Sequence, residues 1–327
     1  MEHIILYAIV PILVIMLLGY YSGKTGSFSG ADARILNKLV LNYALPAALF
    51  VSIIKANREM LSVDVKLTIV SFTVLIACFF LVYYVFRLFY KDSIEDSAIS
   101  ALISGSPTIG FLGFAVLQPI FGDSASVGLV IAIVAIEVNA IGIPIGLALI
   151  NAGKAKAAIA SGMDAGKRPS AWMPVINAIK EPVAWAPILA VILVLCGVKW
   201  PEYLDPSFKL ISGANASVAV FAAGITLSSV KISINGQAIM GSFLKLIIMP
   251  LAILVVGMLC HMDPLNLKML VVCAALPPAF SGIIIASREQ SYVATGTSSL
   301  ALSTILFMGM CPLWIWFTDM CLKWFPY

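Results

Sequence analysis

The chain has 327 residues, of which 61% are hydrophobic and only 11% are charged. Soluble globular proteins are about half apolar and about a quarter charged. The 20 basic and 16 acidic residues cannot cover a water-exposed surface of this size, so the composition excludes a soluble protein and predicts an integral membrane protein. Nucleic-acid binding is excluded as well, because a net charge of +4 with scattered lysines makes no basic stripe.

Ten apolar runs, most of about 20 residues, predict membrane-spanning helices. They lie at 4–23, 33–54, 66–88, 97–121, 126–150, 182–198, 208–230, 241–261, 264–287 and 292–318. Lysine and arginine number thirteen on one side of these runs and seven on the other. Because cytoplasmic loops carry the excess of basic residues, we expect both termini outside the cell (inner) membrane and a cytoplasmic connecting loop at 151–181.

The two halves of the chain, 1–150 and 182–327, resemble each other in sequence. "SFTVLI" at 71–76 matches "SFLKLI" at 242–247, at an offset of 171 residues. Pro107 in span four corresponds to Pro278 in span nine at the same offset. Five spans per unit place the second copy upside down in the membrane, as is typical of secondary transporters. We therefore expect an all-α membrane protein made of two inverted five-helix repeats.

Proline and glycine interrupt the middle of spans four and nine. Span four contains "SGSPTIG" at 104–110, and span nine contains Pro277 and Pro278 followed by Ser281. Proline removes a backbone donor and clashes with the preceding turn, so both helices are predicted to break. We expect unpaired N–H groups and a positive dipole end near Thr108 and near Ala279, an arrangement that favours an anion. Two simple kinks in packed helices are the alternative.

Several polar side chains fall inside the predicted spans. Asn42 in span two and Asn139 in span five are candidates for the substrate site, with interhelical hydrogen bonds as the alternative. Glu137 is an acid well inside a span, so we expect it to carry protons or to pair with a neighbouring hydroxyl. Lys245 is expected to extend to the cytoplasmic interface. With no basic residue at mid-depth, the helix ends and polar side chains would hold the anion.

Three segments carry a resemblance to a known family. "ILNKLVLNYALPAALF" at 35–50, "GSPTIGFLGFAVL" at 105–117 and "ALPPAFSGIIIAS" at 275–287 resemble the auxin efflux carrier family, most closely its bacterial members assigned to malonate and dicarboxylate transport. The resemblance implies a fold similar to bile-acid sodium symporters, with spans four and nine crossing and a kink at Pro46. Plant auxin carriers have asparagine where this chain has Thr108, and the acid and glutamine pattern of the sodium sites has no match here.

Together these features predict a secondary transporter of a small organic anion, such as malonate. The predicted substrate-binding residues are those of the two interruptions and the polar spans: Pro107, Thr108, Gly110, Pro277, Pro278, Ser281, Asn42 and Asn139. Glu137 is the proton-coupling candidate. A channel or an auxin-like monocarboxylate efflux carrier is the alternative. We expect no enzyme activity, metal or cofactor, since neither a catalytic set nor an ATP-binding motif is evident. The lipid bilayer is the expected partner, and a homodimer is left open.

Overall fold

The computed structural model describes residues 10–54, 65–160, 182–198, 200–229 and 235–325. Fifteen α-helices occupy most of this part of the chain, and it contains no β-strand. They are α1 (Val10–Lys24), α2 (Gly30–Leu39), α3 (Leu45–Ile54), α4 (Val65–Phe89), α5 (Ile94–Ser104), α6 (Ile109–Phe121), α7 (Ala125–Ile136), α8 (Ile143–Ala160), α9 (Pro182–Leu195), α10 (Asp205–Ser228), α11 (Gly236–Phe243), α12 (Met249–Leu259), α13 (Pro264–Ala275), α14 (Phe280–Glu289) and α15 (Val293–Trp324).

Six continuous helical segments are long and apolar enough to cross a membrane. They are Gly30–Val51, Val65–Phe89, Ala125–Ala157, Glu202–Ser228, Gly236–Leu259 and Val293–Trp324. Shorter apolar helices include Val10–Lys24 and Pro264–Ala275. A bilayer core about 30 Å thick needs about 20 apolar residues in a helix, which these segments supply. The predicted class, a helical multi-pass membrane protein, is confirmed.

Polar caps set where several helices begin. The Ser29 hydroxyl accepts a hydrogen bond from the Asp32 amide, and the Asp32 carboxylate accepts one from the Ser29 amide, which starts α2. The side chain of Asn235 accepts a hydrogen bond from the Ala238 amide at 2.8 Å and starts α11. Span eight therefore begins at 236 and not at 241 as predicted.

The helix that closes the first half of the chain is longer than the sequence predicts. It continues through α8 to Ala160, whereas the prediction ended span five at residue 150. The first ten residues of the predicted connecting loop, 151–160, are therefore helical. The remaining part of that loop, 161–181, lies outside the described residues.

Three π-turns interrupt the regular helices within the described spans. They lie at Val40–Ala44 between α2 and α3, at Glu137–Gly142 between α7 and α8, and at Leu244–Ile248 between α11 and α12. A π-turn inserts one extra residue into the helical ladder and is frequent at functional sites. Each of these turns holds a polar side chain that the sequence places inside a span: Asn42, Glu137 with Asn139, and Lys245.

Small residues bring α1 and α10 into close contact. A Cβ atom added to Gly19 would lie 2.1 Å from the Phe221 carbonyl oxygen, and one added to Gly224 would lie 2.1 Å from the Met16 carbonyl oxygen. Close backbone approach through small residues is how helices commonly pack in membranes. The helices α1, α3, α9 and α10 pack together as a first group.

The second group contains α4, α5, α8 and α11 to α15. Within it α4 packs against both α5 and α12, and α15 packs against both α11 and α13. The short helices that flank the two interruptions also contact each other, α5 with α14 and α6 with α13. This packing places the interruptions of spans four and nine side by side.

Candidate functional site

The two interrupted spans meet at their prolines. The first interruption separates Ser104 from Ile109, and the second separates Ala275 from Phe280. Pro107 and Pro278 form an isolated antiparallel bridge. The amide of Thr108 donates a hydrogen bond to the Pro277 carbonyl at 3.0 Å.

A second backbone hydrogen bond completes the bridge. The amide of Ala279 donates to the Ser106 carbonyl at 3.1 Å, and also lies 3.2 Å from the Ile103 carbonyl oxygen. The expectation that the N–H groups of Thr108 and Ala279 are unpaired is therefore wrong, because each donates a hydrogen bond to a carbonyl of the opposite segment. The N–H groups of Ile109 and Gly110 come next, at the start of α6, where amides have no acceptor within the helix itself.

Thr108 has an unusual side-chain environment. It is 1% exposed, and its hydroxyl has no hydrogen-bond partner among the described residues. Leaving such a group unsatisfied costs about 1–3 kcal/mol, so a buried orphan hydroxyl needs a physical reason. Its position at the N-cap of α6 places the hydroxyl at the positive end of that helix. This geometry suits a carboxylate oxygen.

A small cavity lies beside the first interruption. One part of its lining consists of polar residues, glycines and a proline: Gly105, Ser106, Pro107, Glu137 and Gly142. Its apolar lining comes from Leu75, Ile76, Phe79, Val138 and Ile145. Sequence reasoning did not select Ser106 as a site residue, although its hydroxyl directly precedes the proline of the break.

Glu137 is the acid that faces this cavity. It is 3% exposed, and its Oε2 accepts a hydrogen bond from the Ser71 hydroxyl at 3.2 Å. The alternative reading of Glu137, a carboxyl paired with a neighbouring hydroxyl, is therefore the contact found. The pairing does not remove it from the cavity, so a role in proton coupling stays a prediction.

The remaining predicted site residues lie outside the lining of this cavity. Gly110 packs closely on α3, where a Cβ atom would lie 2.7 Å from Leu45 Cδ2. The side-chain amide of Asn139 donates a hydrogen bond to the backbone carbonyl of Ala135, one turn earlier, at 2.8 Å. Asn42 and Ser281 are half-buried. Pro277 and Pro278 belong to the bridge itself. The structure thus brings Pro107 and Glu137 into one cavity and leaves the others, Thr108 included, outside its lining.

Lys245 does not reach the cytoplasmic interface, contrary to expectation. Lys245 is 0% exposed. Its Nζ donates hydrogen bonds to the Ala274 carbonyl at 2.7 Å and to Met249 Sδ at 3.0 Å. Because α11 begins at Gly236, Lys245 lies about 14 Å along a helical segment about 36 Å long. A basic residue therefore does lie well inside a helical segment of membrane-spanning length. The Asn235-Gly236 cap was the sequence signal for the longer helix.

Asn215, in α10, is a second buried polar group of interest. It is 1% exposed, and neither its amide nitrogen nor its carbonyl oxygen has a hydrogen-bond partner among the described residues. Sequence reasoning ranks it behind Asn42 and Asn139 among the polar groups that could line the site. Its only signal there is an amide inside an apolar span, which interhelical hydrogen bonding would also explain.

Apolar helices of membrane-spanning length, with two interrupted segments that meet at Pro107 and Pro278, are typical of a multi-pass membrane protein of the transporter type. The sequence profile of the family described as "Membrane transport protein" matches residues 4–315. The chain belongs to this family, which is the auxin efflux carrier-like group of transporters. The predicted resemblance is confirmed at that level.

Three relatives show how far the similarity extends. The chain is 57% identical over 308 residues to "Uncharacterized transporter YfdV" of Escherichia coli (strain K12), covering 94% of this chain and 96% of the relative. It is 24% identical to an "Uncharacterized transporter" of Methanocaldococcus jannaschii, covering 93% and 96% of the two chains. An "Uncharacterized transporter" of Methanothermobacter thermautotrophicus is 25% identical, covering 94% and 96%. The similarity therefore spans nearly the whole chain in each case.

Proposed function

We propose that the protein is a secondary transporter of a small organic anion, with a dicarboxylate such as malonate as the substrate class. The observation that carries this proposal is the pairing of two interrupted helices at Pro107 and Pro278, with the buried, unpartnered hydroxyl of Thr108 at the start of α6. Interrupted helices at corresponding positions of two halves are the best sequence pointer to a transporter binding site.

The fold that suits this function has ten spans arranged as two inverted repeats, 1–150 and 182–327, joined by 151–181. The 171-residue offset supports it, because the bridge pairs equivalent groups of the two halves. The Thr108 amide donates to Pro277, and the Ala279 amide donates to Ser106; residues 106 and 277, and 108 and 279, are each 171 apart. We propose the inner membrane as the location, with both termini outside.

The substrate site consists of an anion-binding part and a proton-binding part. Thr108 and the first amides of α6 contact a carboxylate of the substrate, and Ser281 of α14 contributes a hydroxyl from the second half. Asn42 and Asn139, which lie outside the cavity lining in this structure, are further polar groups that we assign to the substrate site. Glu137 lines the cavity beside Pro107, and a charged carboxylate there would repel an anion. The anion therefore binds together with a proton on Glu137.

Uptake by proteoliposomes tests the transporter and its substrate class. Labelled malonate or oxalate should accumulate saturably and show counterflow with unlabelled substrate inside. A channel would give linear, non-saturable flux without counterflow. An auxin-like carrier would accept an aromatic monocarboxylate in preference to malonate. Saturable uptake of neither class would refute the proposal.

A thermal-shift screen of the purified protein provides the complementary binding test. Short mono- and dicarboxylates are added one at a time at several pH values. A ligand that binds the native state raises the apparent melting temperature by mass action. Stabilisation by dicarboxylates, strongest at low pH, is the result expected from a site that takes up anion and proton together.

A further inference from the structure

Lys245 places its amino group at the carboxyl end of a half-helix. Its Nζ donates to the carbonyl of Ala274, the last but one residue of α13, just before the interruption at Pro277 and Pro278. The final carbonyls of a helix have no intrahelical donor and form the negative end of its dipole. In transporters with interrupted helices, such ends and unwound carbonyls are where a coupling cation binds.

The ammonium group has no carboxylate partner in the described part of the chain. The ion pairs found there join Lys154 to Glu289 and Lys268 to Asp319. The titratable groups close enough to interact electrostatically with Lys245 are the thiols of Cys78, from α4, and Cys273, from α13. A fully buried ammonium costs much free energy unless it is paired. A carbonyl and a thioether account for two of its three N–H donors.

We propose that Lys245 is a tethered cation that occupies the cation site at the carboxyl end of α13 and balances the charge of the transported anion. The charge-balancing part rests on the proposed function, whereas the cation site does not. The coupling ion of such a site is then part of the protein, so transport needs no sodium. The site would accept a small monovalent cation, such as methylammonium, once the lysine side chain is removed.

The cation site is tested first, by thermal unfolding without any substrate. Lys245→Ala removes the ammonium and leaves a space lined by the Ala274 carbonyl and Met249. Methylammonium chloride should raise the melting temperature of this variant by about 2 °C relative to choline chloride. Wild type and Lys245→Met, in which the space is filled, should show no such difference. No methylammonium-specific stabilisation of Lys245→Ala would overturn the cation site.

Lys245→Met tests the charge and retains the shape of the side chain. Replacing a buried charge by an apolar group of similar volume is often neutral or stabilising, so this variant should fold. It should bind malonate at least tenfold more weakly than wild type. The control is Lys268→Met, which removes a partly exposed lysine paired with Asp319 and should leave binding unchanged. Wild-type affinity in Lys245→Met would overturn the charge-balancing role.

Sodium dependence separates this inference from the proposed function. Wild-type uptake should be equal, within about twofold, in sodium chloride and in choline chloride. A requirement for sodium would overturn the inference and leave the anion transporter in place. If the wild-type protein neither transports nor binds an anion, the proposed function fails. The methylammonium experiment still decides whether Lys245 fills a cation site.

Discussion

The amide of Thr108 and the carbonyl of Pro277 are joined by a 3.0 Å hydrogen bond between two helices that are both interrupted at this depth. The 3.1 Å bond from Ala279 to Ser106 is its counterpart in the other half of the chain. Proline cannot donate such a bond, so each segment relies on the residue that follows its proline. The two interruptions therefore satisfy part of each other's backbone, which explains how irregular chain is accommodated inside the bundle.

Thr108→Val should weaken anion binding by about tenfold or more, because a hydrogen bond to a charged group contributes about 1.5–3 kcal/mol. The variant should be at least as stable as wild type, since the hydroxyl it loses has no partner. Malonate titration and thermal unfolding measure the two effects. Thr318→Val is the matched control, because its hydroxyl is also buried and unpartnered but lies near the end of α15. Equal affinity in the two variants would exclude Thr108 from the site.

Glu137→Gln should abolish the pH dependence of transport. In wild type we expect uptake to increase as pH falls, because the anion binds together with the protonated acid. Glutamine is neutral at every pH, so the variant should bind the anion but no longer accumulate it in response to a proton gradient. Proteoliposomes with imposed pH gradients measure this. Ser71→Ala, which keeps the carboxyl and removes its hydroxyl partner, should remain gradient-driven. A gradient response in Glu137→Gln would contradict the assignment.

Gly282→Ala should disturb the contact between α14 and α5. The added Cβ atom would lie 2.8 Å from backbone atoms of Leu102 and Ile103, which cannot move aside as a side chain can. Overpacking of this kind typically costs about 1–3 kcal/mol. Gly213→Ala is the control, since its Cβ atom would meet nothing within 4 Å and alanine favours a helix. The melting temperature of purified Gly282→Ala should therefore be lower than that of Gly213→Ala. Similar values would show that α14 and α5 are not tightly packed.

Asn215→Leu should raise the free energy of unfolding by about 1 kcal/mol, because it removes two buried amide atoms that have no partner. Asn139→Leu provides the comparison, since the Asn139 amide donates to the Ala135 carbonyl at 2.8 Å and loses that bond. Only Asn215→Leu is expected to gain stability in thermal unfolding. A loss of stability there would mean that the amide has a partner in the membrane-embedded protein, such as water.

Asp92→Asn should flatten the dependence of stability on pH. Partial burial and the nearby Asp96 raise the pKa of Asp92 above its ordinary value of 3.8, while the hydrogen bond from Gln237 opposes this. The folded protein therefore binds this proton more tightly than the unfolded chain does, so the stability contributed at low pH is lost as pH rises above 3.8. Thermal unfolding between pH 4 and pH 7 should show a shallower decline for the variant. An unchanged slope would contradict this account.

Sequence patterns predicted the features that depend on local composition. Apolar runs predicted the helices, and Pro107 together with the Pro277-Pro278 pair predicted that spans four and nine would be interrupted at corresponding positions. The prediction placed Lys245 four residues inside span eight, because that apolar run starts at 241. The helix begins five residues earlier, at the Asn235 cap, and this moves the lysine toward mid-depth. The error came from using hydropathy, rather than capping, to set a helix boundary.

Contacts between residues far apart in the chain could not be predicted from the sequence. The hydrogen bonds from Thr108 to Pro277 and from Ser71 to Glu137 join residues far apart in the chain, and no local propensity encodes them. The sequence by itself determined that this is a helical membrane protein in which proline interrupts two of the apolar segments, because hydropathy and proline act on their own segments. Only the tertiary structure decided which backbone amides form hydrogen bonds between the two interruptions, which hydroxyl has no partner, and which lysine is buried. These outcomes depend on which helices pack together.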